Sequence, residues 1–324
     1  MENRHKILML GGLPEPAVDL FRARDDVVAE HVDDVSEANL MKIMEDAAGI
    51  TVRSAKITHS VIESAPALQV VSRFGVGYDS VDIPALSQRG IPLTVVGEAN
   101  SVNVAELTLY LMLELTKRGI QHNRAVRGDD WAFRFKFEMT ELWQKKVLII
   151  GFGRVGTRVA ARCRAFEMDV LVCDPYIDQG LIGEAGCTPV ADYRDALPEA
   201  DYVTLHLPLT DESRNMIGGE ELRAMKPESF LINCARGGIV DEAALCEALA
   251  GKRIAGAGLD VFQTEPPAAD NPLFAFDNAV FSPHMGGASQ EASLRVGMVC
   301  AQNVLDAIDG KLNPDYVINR EVLG

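Results

Sequence analysis

Short apolar runs alternate with amphipathic stretches along most of this 324-residue chain, which is typical of an α/β protein with parallel sheets. In the first hundred residues the pattern predicts strands at 6–11, 49–52, 68–72 and 91–96, and helices at 15–22, 36–47, 58–64 and 83–88. Ser36 is expected to cap the second of these helices. These elements are enough to form a small parallel sheet of their own.

A second series of strands and helices occupies the centre of the chain. A long, densely apolar helix is predicted at 102–127, and strands at 147–150, 168–173, 202–205, 230–233, 254–259 and 279–281. Helices are predicted at 154–166, 193–197, 219–224 and 241–250, and a last long helix at 288–308 stops at Gly310. The length allows two domains, and we expect the first of them to take back the C-terminal helix.

One stretch in this second series carries the pattern of a dinucleotide site. Gly151, Gly153 and Gly156 follow a buried strand at G-x-G-x-x-G spacing, a helix comes next, and Asp174 ends the second strand. The glycines allow a tight turn, close approach of a pyrophosphate and close packing of helix on strand, while the acid can accept hydrogen bonds from a ribose. Glycine-rich turns also occur for packing alone, but here every part lies where the motif requires it. The stretch predicts NAD binding, and Asp174 favours NAD over NADP because it would repel a 2′-phosphate.

Composition and charge limit the partners. The net charge of −16 disfavours nucleic acid and anionic membrane surfaces, so a site for an anionic substrate needs a local group of arginines. The six cysteines have neither C-x-x-C nor zinc-ligand spacing, which predicts buried free thiols and no metal site. The N-terminal apolar run is too short for a secretory signal and no stretch approaches a membrane span. We therefore expect a soluble cytoplasmic protein.

Eight segments together resemble the D-isomer-specific 2-hydroxyacid dehydrogenases, and most closely their phosphoglycerate dehydrogenase branch. They are VRSAKIT, RFGVGYDSVD, NSVNVAELTL, GFGRVG, HLPLTDES, MKPESFLINCARGGIVDEAAL, AGLDVFQTEPP and SPHMGGAS, in the order of the family. The resemblance implies two Rossmann-like or flavodoxin-like domains with a cleft between them: a substrate domain at 1–102 and 288–324, and an NAD-binding domain at 103–287. It also implies a homodimer or tetramer, and a short form without the regulatory domain of longer relatives.

The resemblance assigns Arg236, Glu265 and His284 as catalytic residues. Oxidation of a 2-hydroxy acid needs a base for the hydroxyl proton, a cation for the carboxylate and a cofactor for the hydride. An imidazole exchanges protons near neutral pH, and a neighbouring carboxylate orients it and raises its pKa. A guanidinium binds carboxylates with its planar fork. In isolation each of these residues would be more typical of a solvated loop, so the assignment depends on the whole set.

Further cofactor contacts are implied by the resemblance. They are expected at Val76, Arg154, Val155, Leu207, Thr210, Cys234, Ala235, Arg236, Asp260, His284, Gly286 and Gly287. Asp260 is expected to accept a hydrogen bond from the nicotinamide amide, and Cys234 is equally well explained as strand packing. His206 is expected beside the cofactor and is not the base.

The sequence leaves more than one substrate open. The resemblance places the substrate near Arg53, Ser54, Arg73, Gly75, Val76, Gly77 and Arg236, with Arg134 contributed by a partner subunit. Arginines at these positions suit a substrate with a second anion, such as 3-phospho-D-glycerate. However, Phe74, Val76 and Tyr78 make the loop bulkier than is usual in that branch, and Asn103 stands where serine or alanine is common. Hydroxypyruvate, glyoxylate and a sulfonated hydroxy acid such as sulfolactate therefore remain alternatives.

The sequence disfavours two related groups of enzymes and leaves a second class of function open. An L-specific dehydrogenase would have its glycine fingerprint near the N-terminus, and the formate branch has glutamine in place of Glu265. Some members of the family are NAD-sensing corepressors that bind proteins and retain the catalytic residues. The chain has no basic arm and no nucleic-acid motif, so an NAD-dependent oxidoreductase is the preferred interpretation.

Overall fold

The computed structural model describes residues 4–324 and contains two parallel sheets, which confirms the predicted fold class. Residues 1–3, which begin the predicted substrate domain, lie outside the described residues. The chain forms two compact units. The first runs to Asn100 and includes Gly287–Gly324, and the second is Ser101–Gly286.

Twelve strands and twelve α-helices make up the described part of the chain. The strands are β1 (His5–Leu10), β2 (Val27–Val32), β3 (Ala47–Val52), β4 (Val70–Arg73), β5 (Leu93–Thr94), β6 (Lys146–Ile150), β7 (Asp169–Cys173), β8 (Thr188–Pro189), β9 (Tyr202–Leu205), β10 (Phe230–Asn233), β11 (Gly256–Leu259) and β12 (Ala279–Phe281). The helices are α1 (Glu15–Arg22), α2 (Glu37–Ile43), α3 (His59–Glu63), α4 (Ile83–Gln88), α5 (Ser101–Lys117), α6 (Gly119–Arg127), α7 (Gly156–Ala165), α8 (Gln179–Glu184), α9 (Tyr193–Ala196), α10 (Gly219–Ala224), α11 (Glu242–Ala250) and α12 (Gln290–Ile308).

The sheet of the first unit has the strand order β2-β1-β3-β4-β5, with all strands parallel. Every residue of β3 is buried because apolar clusters cover both faces of the sheet. On one face α12 lies so close that a Cβ added to Gly49 would be 2.9 Å from Cγ1 of Val304. The order changes direction between β1 and β3, and such a switch point is where open α/β sheets bind ligands.

The tail after α12 returns to the edge of this first sheet. Val317 forms an antiparallel bridge with Thr94 of β5. The side chain of Asn319 is buried, accepts a hydrogen bond from the Leu93 N–H at 2.8 Å and donates to the Ile91 carbonyl at 2.9 Å. The C-terminal segment is therefore part of the first unit, and it covers backbone groups at the edge of a very short strand.

The sheet of the second unit has seven parallel strands in the order β12-β11-β10-β9-β6-β7-β8. Its direction changes between β6 and β9, as in the dinucleotide-binding fold. Apolar clusters cover both faces, and α5 contributes Ala105, Leu111 and Met112 to one of them. The carboxyl ends of the strands thus carry the loops in which the predicted site residues lie.

The prediction of a single helix at 102–127 is wrong, because two helices, α5 and α6, occupy this stretch. Arg118 has a left-handed backbone with φ 54° and separates α5 from α6. The carboxylate of Glu114 accepts a hydrogen bond from the Ile120 N–H at 2.7 Å and so satisfies a backbone donor at the start of the second helix. A side chain near the end of one helix thereby begins the next.

Several local predictions also need correction. The pattern did not predict β2, whose middle residues are partly or fully exposed because it is an edge strand, nor the short elements α8 and β8. Ser36 occupies the N-cap position of α2 but makes no cap hydrogen bond, and α2 ends at Ile43 because β3 begins at Ala47. The strands β4, β5 and β11 are each shorter than, or shifted from, their predicted spans.

All six cysteines are free thiols, as predicted, and five of them are buried. Among residues 4–324 no helix combines the length and the apolar character needed to cross a membrane.

Candidate active site

The three fingerprint glycines each meet a different constraint. Gly151 has φ +97°, and a Cβ there would lie 2.4 Å from the carbonyl oxygen of His206. A Cβ on Gly156 would lie 2.0 Å from the carbonyl oxygen of Gly151, whereas one on Gly153 would meet nothing within 4 Å. The first and third glycines therefore permit close backbone packing where β6 and β9 diverge. The second leaves open space beside the start of α7, which suits the close approach of a pyrophosphate.

Asp174 is fixed beside this turn. Its Oδ2 accepts a hydrogen bond from the Phe152 N–H at 2.7 Å, and its Oδ1 accepts one from the Tyr176 N–H at 2.9 Å. Each carboxylate oxygen can accept a second hydrogen bond, so a ribose hydroxyl can still be bound. The open glycine, the helix N-terminus and the oriented carboxylate together fit a dinucleotide without a 2′-phosphate. Arg154 and Val155 lie in the same turn.

The loop after β9 forms the other side of the switch point. Leu207 packs against the core, and the Thr210 N–H donates to the Ser213 hydroxyl at 2.8 Å, which stabilises the turn. Nδ1 of His206 is buried without a hydrogen-bond partner among the described residues, while Nε2 contacts the Thr204 hydroxyl at 2.9 Å. Burial lowers the pKa of His206 to about 3. This ring therefore stays neutral at physiological pH, and burial makes it a weak base.

Three chemically active side chains follow three neighbouring strands, β10, β11 and β12. Arg236, Glu265 and His284 lie in the loops at their carboxyl ends. Nδ1 of His284 is 2.7 Å from Oε2 of Glu265, and Oε1 of Glu265 accepts a hydrogen bond from the Phe262 N–H at 3.1 Å. The side chain of His284 is half exposed, so the ring is accessible while its Nδ1 is occupied.

Glu265 and His284 shift each other's pKa in directions that suit proton exchange. The hydrogen bond to Glu265, supported by its charge, raises the pKa of His284 above 6.5, against the effects of burial and of the Arg236 charge. Burial raises the pKa of Glu265, but the His284 hydrogen bond and the Phe262 N–H outweigh it, so that pKa is lowered overall. The carboxylate therefore stays ionised at neutral pH, while the imidazole keeps its proton to a higher pH than an ordinary histidine does.

The buried carboxylate of Asp260 holds the loop that carries His284. Its Oδ1 accepts hydrogen bonds from the Ser282 hydroxyl at 2.5 Å and the Met285 N–H at 2.7 Å, and its Oδ2 accepts one from the Gly286 N–H at 2.8 Å. Its own carbonyl accepts from the His284 N–H at 2.8 Å. Burial raises the pKa of Asp260 in spite of these hydrogen bonds. His284 has φ 53°, and these contacts define that left-handed conformation.

Asn103, which is not among the predicted site residues, supports the same loop. Its side-chain amide donates to the Gly286 carbonyl at 2.7 Å and to the Met285 carbonyl at 3.3 Å. The residue lies in the first turn of α5, far from the loop in sequence. The only signal in the sequence was an asparagine at a position where serine or alanine is common. Asn103 is therefore a supporting residue of the second unit.

The loop that carries Arg236 is held by the side chain of Asn233. Asn233 is buried, accepts a hydrogen bond from the Ala235 N–H at 3.0 Å and donates to the Arg236 carbonyl at 2.9 Å. A Cβ on Gly237 would lie 1.7 Å from the Phe262 carbonyl oxygen, so this loop and the next are in backbone contact. Burial raises the pKa of the neighbouring Cys234 thiol to about 12, which makes it unreactive.

The predicted substrate residues lie in the first unit. Arg53 directly follows β3 at the switch point, where a Cβ on Gly11 would be 3.3 Å from its own Cβ. Its guanidinium lies over the ring of Phe74, 5.1 Å from the centroid. Arg73 ends β4 and donates to the carbonyls of Gly77 at 2.7 Å, Val52 at 2.9 Å and Arg53 at 2.8 Å. The two arginines thus have different surroundings.

The predicted site residues fall into two groups, one in each unit. The second unit contains Gly151, Gly153, Arg154, Val155, Gly156, Asp174, Leu207, Thr210, Cys234, Ala235, Arg236, Asp260, Glu265, His284 and Gly286. The first unit contains Arg53, Ser54, Arg73, Gly75, Val76, Gly77 and Gly287. Arg134 lies in an exposed 3₁₀ turn of the second unit, where its guanidinium is 4.6 Å from the ring centroid of Phe135.

Comparison with known proteins agrees with this geometry. Residues 109–286 match the family model described as the NAD binding domain of D-isomer specific 2-hydroxyacid dehydrogenases. The chain is 37% identical to D-3-phosphoglycerate dehydrogenase of Methanocaldococcus jannaschii, covering 98% of this chain and 61% of that protein. It is 35% identical to glyoxylate reductase of Thermofilum pendens, covering 99% of this chain and 96% of that protein.

A solved structure extends the similarity to the whole fold. The crystal structure of the TT0316 protein from Thermus thermophilus matches with a TM-score of 0.89 at 33% identity, over 97% of this chain and 99% of that one. In length, by contrast, the chain spans only 54% to 61% of the D-3-phosphoglycerate dehydrogenases that it matches.

Two alanine substitutions in the fingerprint should affect different properties, one NADH binding and the other stability. Gly153→Ala should keep the free energy of unfolding within about 1 kcal/mol of wild type but weaken NADH binding about tenfold or more, because the methyl group enters the open space. Gly156→Ala should lose about 3 kcal/mol or more, because its Cβ meets a backbone oxygen. Urea denaturation and NADH fluorescence titration measure the two quantities.

The matched control is Gly183→Ala in α8, where an added Cβ also meets nothing within 4 Å. It should change neither NADH affinity nor, beyond the usual helix propensity of alanine, stability. Unchanged NADH affinity in Gly153→Ala would contradict the assignment of this turn to the pyrophosphate.

Proposed function

We propose that this chain, which belongs to the D-isomer specific 2-hydroxyacid dehydrogenase family, interconverts an anionic D-2-hydroxy acid and its 2-keto acid with NAD. The preferred pair is 3-phospho-D-glycerate and 3-phosphohydroxypyruvate. The observation that carries the proposal is the His284–Glu265 pair at 2.7 Å, with Arg236 acting on both, on the sheet that also carries the dinucleotide fingerprint.

Each residue of this group has a separate task. Arg236 binds the substrate carboxylate and stabilises charge on the reacting oxygen. Glu265 accepts the Nδ1–H of His284, which leaves Nε2 as the atom that takes the proton from the substrate hydroxyl. NAD, when bound, supplies the acceptor for the hydride of the hydroxy acid. In the direction of reduction, protonated His284 returns the proton to the oxygen.

NAD is preferred over NADP because of Asp174. The acid is held by two backbone N–H groups, so its charge stays beside the position where a 2′-phosphate would have to bind. In this proposal the NAD-binding domain predicted at 103–287 corresponds to the second unit, Ser101–Gly286, and binds the cofactor through Leu207, Thr210, Cys234, Ala235 and Asp260 as well as the fingerprint. The first unit binds the substrate through the Gly75–Gly77 loop and Arg53.

The identity of the substrate is supported by two observations. Arg53 lies at the switch point of the first sheet, where a second anion on the substrate can be bound, and the D-3-phosphoglycerate dehydrogenases are among the relatives. The glyoxylate reductase of similar length favours the second candidate, reduction of hydroxypyruvate or glyoxylate. A third candidate is a dehydrogenase for a sulfonated acid, which also carries a distal anion.

A panel of 2-keto acids tests the activity. NADH oxidation should be most efficient with 3-phosphohydroxypyruvate, compared with hydroxypyruvate, glyoxylate, pyruvate and sulfopyruvate. Arg53→Ala should lower kcat/KM for 3-phosphohydroxypyruvate about 30-fold or more and that for glyoxylate much less, because only the former has a distal anion. Arg320→Ala, which removes another exposed arginine of the first unit, serves as the control.

The panel also separates the alternatives. A preference for glyoxylate or hydroxypyruvate would contradict the proposed substrate. A preference for sulfopyruvate would identify the distal anion of the substrate as a sulfonate. Absence of turnover with every acid would reject the dehydrogenase activity itself.

The pH dependence of reduction tests the role of the His284–Glu265 pair. Reduction needs protonated His284, so kcat/KM should fall as pH rises through its raised pKa, above 6.5. Glu265→Gln removes the group that raises this pKa, so the fall should move to lower pH and the maximal rate should drop about tenfold to hundredfold. Stopped-flow or steady-state profiles across the neutral and alkaline range measure both effects.

Asp270→Asn gives the matched control, since it removes an exposed acid in the same loop region as Glu265. Its profile should coincide with that of wild type. A profile of Glu265→Gln with an unmoved limb would show that another group supplies the proton.

We further propose a cytoplasmic homodimer. Trp131, Phe135 and Phe137 are 65%, 61% and 84% exposed within one short segment of the second unit, and such a patch is typical of a protein interface. A second copy of this chain is the proposed partner, and Arg134 in the same segment would then reach the partner. Six unpaired cysteines support a reducing compartment.

Light scattering tests the dimer. Wild type should have about twice the chain mass of 35.2 kDa, and the double variant Trp131→Ser/Phe135→Ser should be a monomer because it loses the apolar contact area. Phe166→Ser changes an aromatic residue that is 42% exposed elsewhere in the same unit and should stay dimeric. A monomeric wild type would reject the proposal.

A further inference from the structure

The guanidinium of Arg53 has an unusual support. The backbone N–H of Arg53 donates to the Leu10 carbonyl at 3.2 Å, so the residue is fixed at the switch point of the first sheet. The end of its side chain then lies over the ring of Phe74, 5.1 Å from the centroid. Among residues 4–324, no carboxylate forms an ion pair with it, so the aromatic ring is its main restraint.

Phe74 is itself well anchored. Its N–H donates to the Val52 carbonyl at 2.8 Å, which fixes the backbone beside Arg53. Its ring packs against a small buried cluster formed by Val96, Val296 and Cys300. The ring therefore combines contact with the apolar cluster and contact with the guanidinium, and its position does not depend on the arginine.

Arg73 is restrained in a different way. Its Nε and one terminal nitrogen donate to three backbone carbonyls, of which one belongs to Gly77 and two belong to the residues at the end of β3. These bonds join the loop 75–77 to the neighbouring strand. Donors that are engaged with carbonyls in this way hold the loop in place, and they are not available to a substrate anion without breaking those bonds.

We propose that Phe74 is the residue that determines specificity for a distal anion, because it positions Arg53, while Arg73 holds the Gly75–Gly77 loop. The inference rests on the proposed function. An exposed arginine loses considerable side-chain entropy when it binds an anion, and stacking on a fixed ring removes part of that loss in advance. The stack covers one face of the guanidinium and does not occupy the N–H donors at its edge.

Assigning the two arginines different roles has a measurable consequence. Loss of the ring should lower kcat/KM only for substrates that carry a distal anion, and the change should appear in KM more than in kcat. Loss of the Arg73 hydrogen bonds should lower kcat/KM for substrates with and without that anion to a similar extent, because both bind to the same Gly75–Gly77 loop. The ratio of kcat/KM for 3-phosphohydroxypyruvate to that for hydroxypyruvate therefore separates the two roles.

The test measures this ratio in wild type, Phe74→Leu, Phe74→Tyr and Arg73→Lys. Phe74→Leu should lower the ratio about three- to tenfold, the range expected for a partly exposed cation–π contact. Phe74→Tyr keeps the ring and should keep the ratio within about twofold. Arg73→Lys should lower both efficiencies with the ratio unchanged. Phe166→Leu makes the same change as Phe74→Leu at an exposed phenylalanine of the second unit and serves as the control.

A double-mutant cycle shows whether Phe74 acts through Arg53. In an Arg53→Ala background, Phe74→Leu should produce no further fall in the ratio, because the group that it positions is already absent. Phe74→Met replaces Phe74→Leu if the leucine variant does not fold, as judged by circular dichroism.

The outcomes distinguish this inference from the proposed function. A wild-type preference for 3-phosphohydroxypyruvate that survives Phe74→Leu would overturn the role of Phe74 and leave the activity intact. An additional fall of the ratio in the Arg53→Ala background would overturn the positioning role, because Phe74 would then act on the substrate by itself. A wild type without preference for a distal anion would overturn the proposed substrate and this inference with it.

Discussion

The buried carboxylate of Asp260 is the constraint on which the candidate active site depends. It receives three hydrogen bonds from one short loop, and its backbone carbonyl receives a fourth from His284. Such a carboxylate is costly to bury, and the cost is offset only while the loop keeps the conformation that supplies these donors. The left-handed backbone of His284 is thereby fixed, and with it the distance to Glu265.

The same principle acts at the other loops of the second sheet, where backbone approaches backbone. Gly151, Gly156 and Gly237 each stand where a Cβ would overlap a main-chain atom of a neighbouring loop or turn. These contacts bring the ends of adjacent parallel strands close together, so that residues far apart in sequence share one surface. Gly153 differs, because the space that it leaves faces no protein atom within 4 Å. Close packing of the backbone explains why glycine stands at the first three positions. At Gly153 the open space is instead available to a ligand.

Periodicity and local motifs were sufficient to predict two parallel sheets and most of their central strands, since buried strands such as β6 and β10 are continuous apolar runs. The glycine fingerprint could also be recognised from the sequence, because its parts are contiguous. The edge strand β2 was missed because half of its residues are exposed, and the break at Arg118 because it depends on a side chain in the preceding turn. The hydrogen bonds from Asn103 to the Gly286 carbonyl and from Arg73 to the Val52 carbonyl join segments distant in sequence, and no local pattern records them.

The return of the chain to the first sheet has a consequence for synthesis. One face of that sheet, including Ile7 and Val70, is covered by Ala301 and Val304 of α12, and β5 is bordered by Val317 and Asn319. A ribosome releases these covering segments only after the whole second unit has emerged. Until then the first sheet has an uncovered apolar face and an unpaired edge. All strands of the second unit have already been synthesised by that point. Vectorial folding thus favours completion of the second unit first, and the early strands are the part of the nascent chain that most needs protection from aggregation.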